Sequence, residues 1–395
     1  MKETSPTPEQ MDFSLVLGGP LYQLLLRAGL IQPPMALAQR RVILFAGVAW
    51  LPLALSTALG GTFLEGVSVP FLYDLDVHVR FLIALPLLIA AEPIVHSRLR
   101  EIVAQFRERN LIAPEDRRSF DDIITGTMRL RNSVTIEIIL LMVAFAGFYW
   151  LWRSQVSLSV ASWYATSTPK GISFTWAGYW YAFVAIPIYR FILLRWYFRI
   201  LIWYVFLFRV SRLRLQLKPL HPDGAGGLEF LSQSVDAISP VLLAQSAFYS
   251  GIIGNQIWHT GTTLPEYKIL IGVIATFLIM LVLLPLAFFA LPMAAAKRSQ
   301  LPKLGVLGAR YASEFDQKWL ETPQTSDKEL LGSADIQSLA DLAGGFAVVH
   351  DMRLLPFGRN TVTRLVILIA LPLLPLALTM VPFDVLLQQL IKLIL

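Results

Sequence analysis

Apolar residues dominate seven stretches of this chain, near 42–62, 80–96, 133–152, 177–208, 237–257, 267–291 and 362–381. A helix needs roughly 20 such residues to cross a ~30 Å hydrocarbon layer, so each stretch predicts a transmembrane helix. The second is short, and Pro372 and Pro375 interrupt the seventh, which leaves open whether it crosses or re-enters. The fourth, AGYWYAFVAIPIYRFILLRWYFRILIWYVFLF, would be ~48 Å long as a straight helix, so it tilts or extends beyond the membrane.

The polar segments between these stretches set the organisation: an N-terminal piece 1–41, spans in 42–96, a polar segment 97–132, spans in 133–208, a connection 209–236, spans in 237–291, a long polar segment 292–361, and a last span with its tail in 362–395. Within 97–132, Leu99, Val103 and Phe106 continue the helical spacing of the second span, Pro114 and Asp116 mark a turn, and a second helix is expected over 116–131. In 292–361, Leu307, Tyr311, Phe315 and Trp319 predict a helix over 305–320. Ser333 then caps another, with Asp335 in its first turn and Ile336, Leu339, Ala343 and Phe346 as its expected buried face. Two amphipathic pieces, PLYQLLLRAGLIQPP at 20–34 and FDVLLQQLIKLIL at 383–395, are expected to lie along the bilayer surface or, for the second, against another copy. The predicted fold class is therefore all-α, a polytopic transmembrane helical bundle of about seven spans, some kinked at proline, with small helical hairpins outside the membrane.

Composition agrees: 55% of residues are hydrophobic, 15% are charged, and the mean hydropathy is +0.60, which excludes an ordinary soluble enzyme. The absence of Cys excludes disulfides, thiolate metal sites and a cysteine nucleophile. Lys and Arg number four in 1–41, eight in 97–132, four in 209–236 and eight in 294–361, whereas the opposite loops hold only Arg153 and Lys170. That asymmetry predicts a cytoplasmic N-terminus and accounts for the net charge of +6 without any nucleic-acid partner. MKETSPTPEQ lacks the features of a cleaved signal, so the first span is expected to act as its own anchor.

LHPDGAGGLEFL (220–231), GSADIQSLADL (332–342) and HDMRLLPFGR (350–359), with the Pro-broken terminal segment, resemble a family of bacterial multi-pass inner-membrane proteins. The resemblance implies that location and brings with it no catalytic or binding residue.

Candidate chemistry is sparse. Arg195 and Arg199 lie one turn apart inside the fourth span, where a cation near mid-bilayer costs at least ~2.5 kcal/mol. They belong either to an interfacial aromatic belt with Trp196, Tyr197, Trp203 and Tyr204, or to a pathway that attracts anions or lipid phosphates. In the fifth span Gln245, Tyr249 and Gln256 fall within about 40° of one another, a polar wall that either glues helices or lines a wet passage, and Gly251 and Gly254 allow close helix approach. Glu92 shares a helix face with His96. With His221, Asp223 and His350 they could hold a divalent metal, although no stretch has a recognised ligand spacing. HPDGAGG itself predicts a rigid elbow, in which Pro222 fixes a turn, Gly224, Gly226 and Gly227 accept unusual backbone angles, and Asp223 caps the helix that starts near Gly227; it lacks the ending of a phosphate-binding loop. The alternative use of His221, Asp223 and those glycines is a ligand-contacting loop at a cytoplasmic mouth.

The leading expectation is a homo-oligomeric bacterial membrane channel or permeation protein, anions being the expected permeant, with no cofactor. A metal-dependent hydrolase or lipid-modifying enzyme, and a non-catalytic scaffold, stand as alternatives.

Overall fold

The computed structural model describes residues 13–30, 37–155, 162–168, 171–321 and 334–378. Helix dominates because backbone N–H and C=O groups in hydrocarbon have no water to bond, and a helix satisfies them within one segment. The helices are α1 (Pro20–Arg27), α2 (Ala38–Leu59), α3 (Leu85–Glu108), α4 (Arg117–Arg131), α5 (Val134–Gln155), α6 (Ile186–Val210), α7 (Gln233–Thr260), α8 (Lys268–Leu283), α9 (Ala290–Asp316), α10 (Ala334–His350) and α11 (Arg359–Ala370). Shorter turns extend several of them, so α3 and α6 are each entered through a π-helical turn, at Val79–Ala84 and Tyr181–Ala185. Six helical stretches are long and apolar enough to cross a membrane: Ala38–Leu59, Leu75–Glu108, Trp176–Val210, Glu229–Thr260, Leu264–Glu321 and Arg359–Ala377. The third predicted span falls on α5, whose described apolar part, Val134–Ala146, is shorter.

The most enclosed of these stretches is the one containing α7. α7 packs chiefly along α3 and its π-turn, with α8 and α11 on its other sides; α2 lies against α3, and α4 and α5 lie against α6. Large apolar side chains such as Ile43, Leu51, Leu55, Ile269 and Val273 point outward, as a surface bathed in lipid requires. At the end of the bundle opposite the N-terminal segment, the hairpin β1 (Ala165–Thr168) and β2 (Gly171–Phe174) pairs antiparallel, Ala165 opposite Phe174. Beside it the buried Trp163 donates its indole N–H to Asp74 Oδ2 at 2.8 Å.

Three expectations need correction. The helix that carries the sixth predicted span continues past 291: Pro285 loosens the path to 3-10 geometry at Leu284–Phe289, and it then resumes to Glu321, so the helix expected over 305–320 is its continuation and not a separate one. The supposed buried face of α10 is mostly exposed, Ile336 at 46% and Phe346 at 41%, because α9 and α10 form a hairpin outside the bundle with too little material to enclose an apolar stripe. Arg41, counted above with the loop cations, belongs to α2 and is 1% exposed, because the turns of the bundle close around the start of that helix. Ser333 and the amphipathic segment 383–395 lie outside the described residues.

The close approach expected at Gly251 and Gly254 is present: a Cβ on Gly251 would come within 2.8 Å of Val79 Cβ, and one on Gly254 within 2.9 Å of Leu376 Cδ2. Val79 opens the π-turn and its Cβ has no rotamer by which to yield. Gly251→Ala should therefore separate α7 from that turn at a cost of about 1–3 kcal/mol, the usual scale of overpacking. Thermal unfolding in detergent checks this, and Gly272→Ala, whose new Cβ meets nothing within 4 Å, should leave the midpoint unlowered or raise it slightly.

Candidate functional site

The main concentration of charge inside the bundle lies where α2, α3, α5 and α6 meet the residues that precede α1. Glu92 of α3 accepts from Arg41 of α2 on one carboxylate oxygen and from Arg199 Nη2 of α6, at 2.9 Å, on the other. Arg199 is 4% exposed and its guanidinium lies over the Trp196 ring, 4.8 Å from the centroid. One turn earlier on α6, Arg195 Nε is 3.4 Å from Glu137 Oε1 of α5, and the Leu21 backbone N–H donates to the same oxygen at 3.2 Å. The two arginines thus face the protein interior, not the lipid boundary.

An irregular strap, residues 13–19, closes the cluster, with Phe13, Ser14, Leu15 and Val16 all buried. Ser14 Oγ lies 2.9 Å from His96 Nδ1, and its carbonyl accepts from Arg131 Nη1 of α4 at 2.5 Å. Burial and the like charge of Arg199 push Arg131 down to about 10, still cationic at neutral pH. Four guanidinium groups therefore surround two carboxylates, an excess of two positive charges among the described residues. Arg41 Nε and Nη2 are buried without a hydrogen-bond partner. Sequence reasoning assigned no role to Arg41, Arg131 or the strap; the only signal was the apolar FSLVL before Gly18.

The polar wall of α7 divides by depth. Gln245 is 1% exposed, its Oε1 accepts from Tyr197 Oη at 3.4 Å, and its Nε2 has no partner. Tyr249 is half-buried, and Gln256 is exposed. Ser246 and Ser250 donate to the carbonyls of Ile369 and Pro372, both at 2.5 Å, where the Pro-broken turn after α11 disturbs the helical ladder, so these hydroxyls do act as glue. Cavities lie at both ends of the helix. One of about 960 Å³ is lined by His96, Arg100, Glu101, Gln105, Arg109 and Gln233, the first residue of α7. Another, of about 350 Å³, is lined by Asp74, Asp76, Tyr181, Asn255, Gln256 and His259. With 28 residues, α7 separates them by roughly 40 Å at 1.5 Å per residue. Asp76 in the second is paired with Arg80 at 2.5 Å.

The loop HPDGAGG spends its polar groups on itself. Asp223 accepts backbone N–H groups from Ala225, Gly227 and Glu229 at 2.8, 3.1 and 3.2 Å, and Gly224, Gly226 and Gly227 take φ of +61, +65 and +94°. Arg353 Nη2 donates to the Asp223 carbonyl at 2.6 Å and to Glu229 at 3.1 Å, so segments 220–231 and 350–359 are clamped together. The proposed metal ligands are not gathered. Glu92 is engaged by two arginines, His96 lies on Ser14, His221 Nδ1 lies 3.0 Å from Asp223 Oδ1, and His350 is exposed beside Asp351. Among the described residues no three His, Asp or Glu side chains form a set that could hold a metal ion.

Compared with protein-family models, curated proteins and solved structures, the chain matches none.

Burial by itself raises the Asp223 carboxyl, but the three backbone donors and His221 outweigh it and hold the group below the usual carboxylate range. A carboxyl depressed by folding contributes stability above its unfolded pKa of about 3.9 and loses it as pH falls toward the folded value. Asp223→Asn should cost about 1.5–3 kcal/mol at pH 7, the scale of hydrogen bonds to a charged group. Below about pH 4 the gap from wild type should narrow, as thermal midpoints across a pH series would show.

Proposed function

We propose that the protein is a permeation protein for small inorganic anions in a bacterial inner membrane, working as a homo-oligomer with the strap end in the cytoplasm. The observation that carries this reading is the excess of buried guanidinium charge around Glu92 and Glu137. A permanently cationic pocket inside a membrane bundle repels cations and lowers the cost of bringing an anion out of water. The cavities at the two ends of α7 supply entrances, and Gln245 and Tyr249 between them are the groups a passing ion would meet. In the second cavity Arg80 compensates Asp76, and Asp74 is engaged by Trp163, which limits repulsion of an anion there. The uncovered Leu307, Ile336 and Phe346 of the α9–α10 hairpin offer apolar surface through which copies would meet.

Proteoliposomes holding the purified chain should release chloride. Arg195→Gln and Arg199→Gln should each lower the rate about tenfold, the effect of ~1.4 kcal/mol, or abolish preference for anions over cations. Gel filtration checks that each variant remains folded. Wild type without flux removes the permeation reading; unchanged flux in both variants removes the arginines from the path.

A further inference from the structure

A small cavity of about 20 Å³ lies beside the charge cluster, with Arg131, Arg195, Arg199 and Glu137 in its wall and the strap residues Leu15 and Gly18 across it. Its size narrows the choice. One water needs about 10–15 Å³ of such space, so the cavity suits an occupant little larger than a water, and a phosphate, a sulfate or a lipid headgroup would need its side chains to move apart. Its charge is equally restrictive. The carboxylate in the wall, Glu137, is already the partner of Arg195 and of the Leu21 N–H. Arg199 is bound to Glu92, which Arg41 also engages, and among the described residues Arg131 donates to neutral oxygens, the Ser14 carbonyl and Asn132 Oδ1. Water would fill the space but leave the excess charge in place. A monatomic anion fills it and offsets one of the two surplus charges.

We infer that the cavity between Arg131, Arg195 and Arg199 is a binding site for one halide ion. This deepens the permeation reading and rests on it for the ion's route, whereas occupancy depends on these side chains alone. The strap forms one wall of the site, so an ion exchanging toward the 960 Å³ cavity passes where Ser14 meets His96, which also lines that cavity.

Crystals of the full chain grown in bromide and measured at the bromine edge should give an anomalous peak between the three guanidinium groups. A cavity that is empty or holds only water overturns the inference. In detergent, chloride or bromide at tenfold excess over its dissociation constant should raise the thermal midpoint by roughly 2 °C over gluconate at equal ionic strength. Sulfate should not, and an equal rise with sulfate would mean screening and also overturn the site. Arg131→Gln should lose the halide response, with Arg131→Lys retaining part of it; the bromide measurement on the unaltered chain stands even if neither variant folds. Bromide bound without halide flux supports the site and defeats the permeation reading. Halide flux without a bromide peak does the reverse.

Discussion

The Glu92 carboxylate, shared between the guanidinium groups of Arg41 and Arg199, fixes α2, α3 and α6 at one level of the bundle. Removing each ion from water costs several kcal/mol, and only close partners recover it, so none of the three helices slides without stranding a buried charge. The neighbouring contacts follow from that register. Arg195 sits one turn from Arg199 and pairs with Glu137, which brings α5 in; Glu137 accepts from Leu21, which anchors the start of α1. A hydrophobic contact tolerates sliding because it has no direction. A bidentate carboxylate with two fixed donors does not.

That register also determines what α7 encounters. Its most enclosed face lies on α3, the helix that carries Glu92 and His96, and its serines take up the carbonyls disturbed by Pro372 and Pro375. Two kinds of polar group thus coexist on one helix: hydroxyls spent on a broken neighbour, and the Gln245 amide with a free Nε2. The first kind has a complete structural explanation. The second has none in the packing alone, since apolar residues of similar volume would fill the same space without an unsatisfied donor.

Much of the fold was legible because a bilayer imposes its thickness on sequence: the apolar stretches mark the helices, and the helix expected at 116–131 is found at Arg117–Arg131. The elbow was legible too, since Pro222 and three glycines in six residues leave few backbone choices. The site was only half legible. Arg195 and Arg199 stand out as charges in an apolar run, but Arg41 lies at the edge of one and looked like an ordinary loop cation. The strap is irregular, so no period announces it; its burial comes from Ser14, His96 and Arg131, residues 82 and 117 positions apart. The α9–α10 hairpin failed in the opposite way, because apolar periodicity locates a helix face without saying what covers it.

An arginine cannot relieve a buried excess by losing its proton, as a lysine or histidine does, because its charge persists at any physiological pH. The excess around Glu92 and Glu137 must then be carried by something else: water, a lipid phosphate or an ion. Water in the cavity leaves the charge where it is, and a phosphate is larger than the space between Leu15, Leu140, Phe198 and the arginines as the side chains stand. Had the cluster served only to hold helices together, one arginine for each carboxylate would have sufficed at lower desolvation cost. The surplus pair is the part of the arrangement that packing does not require, and its sign selects the kind of ligand that completes it.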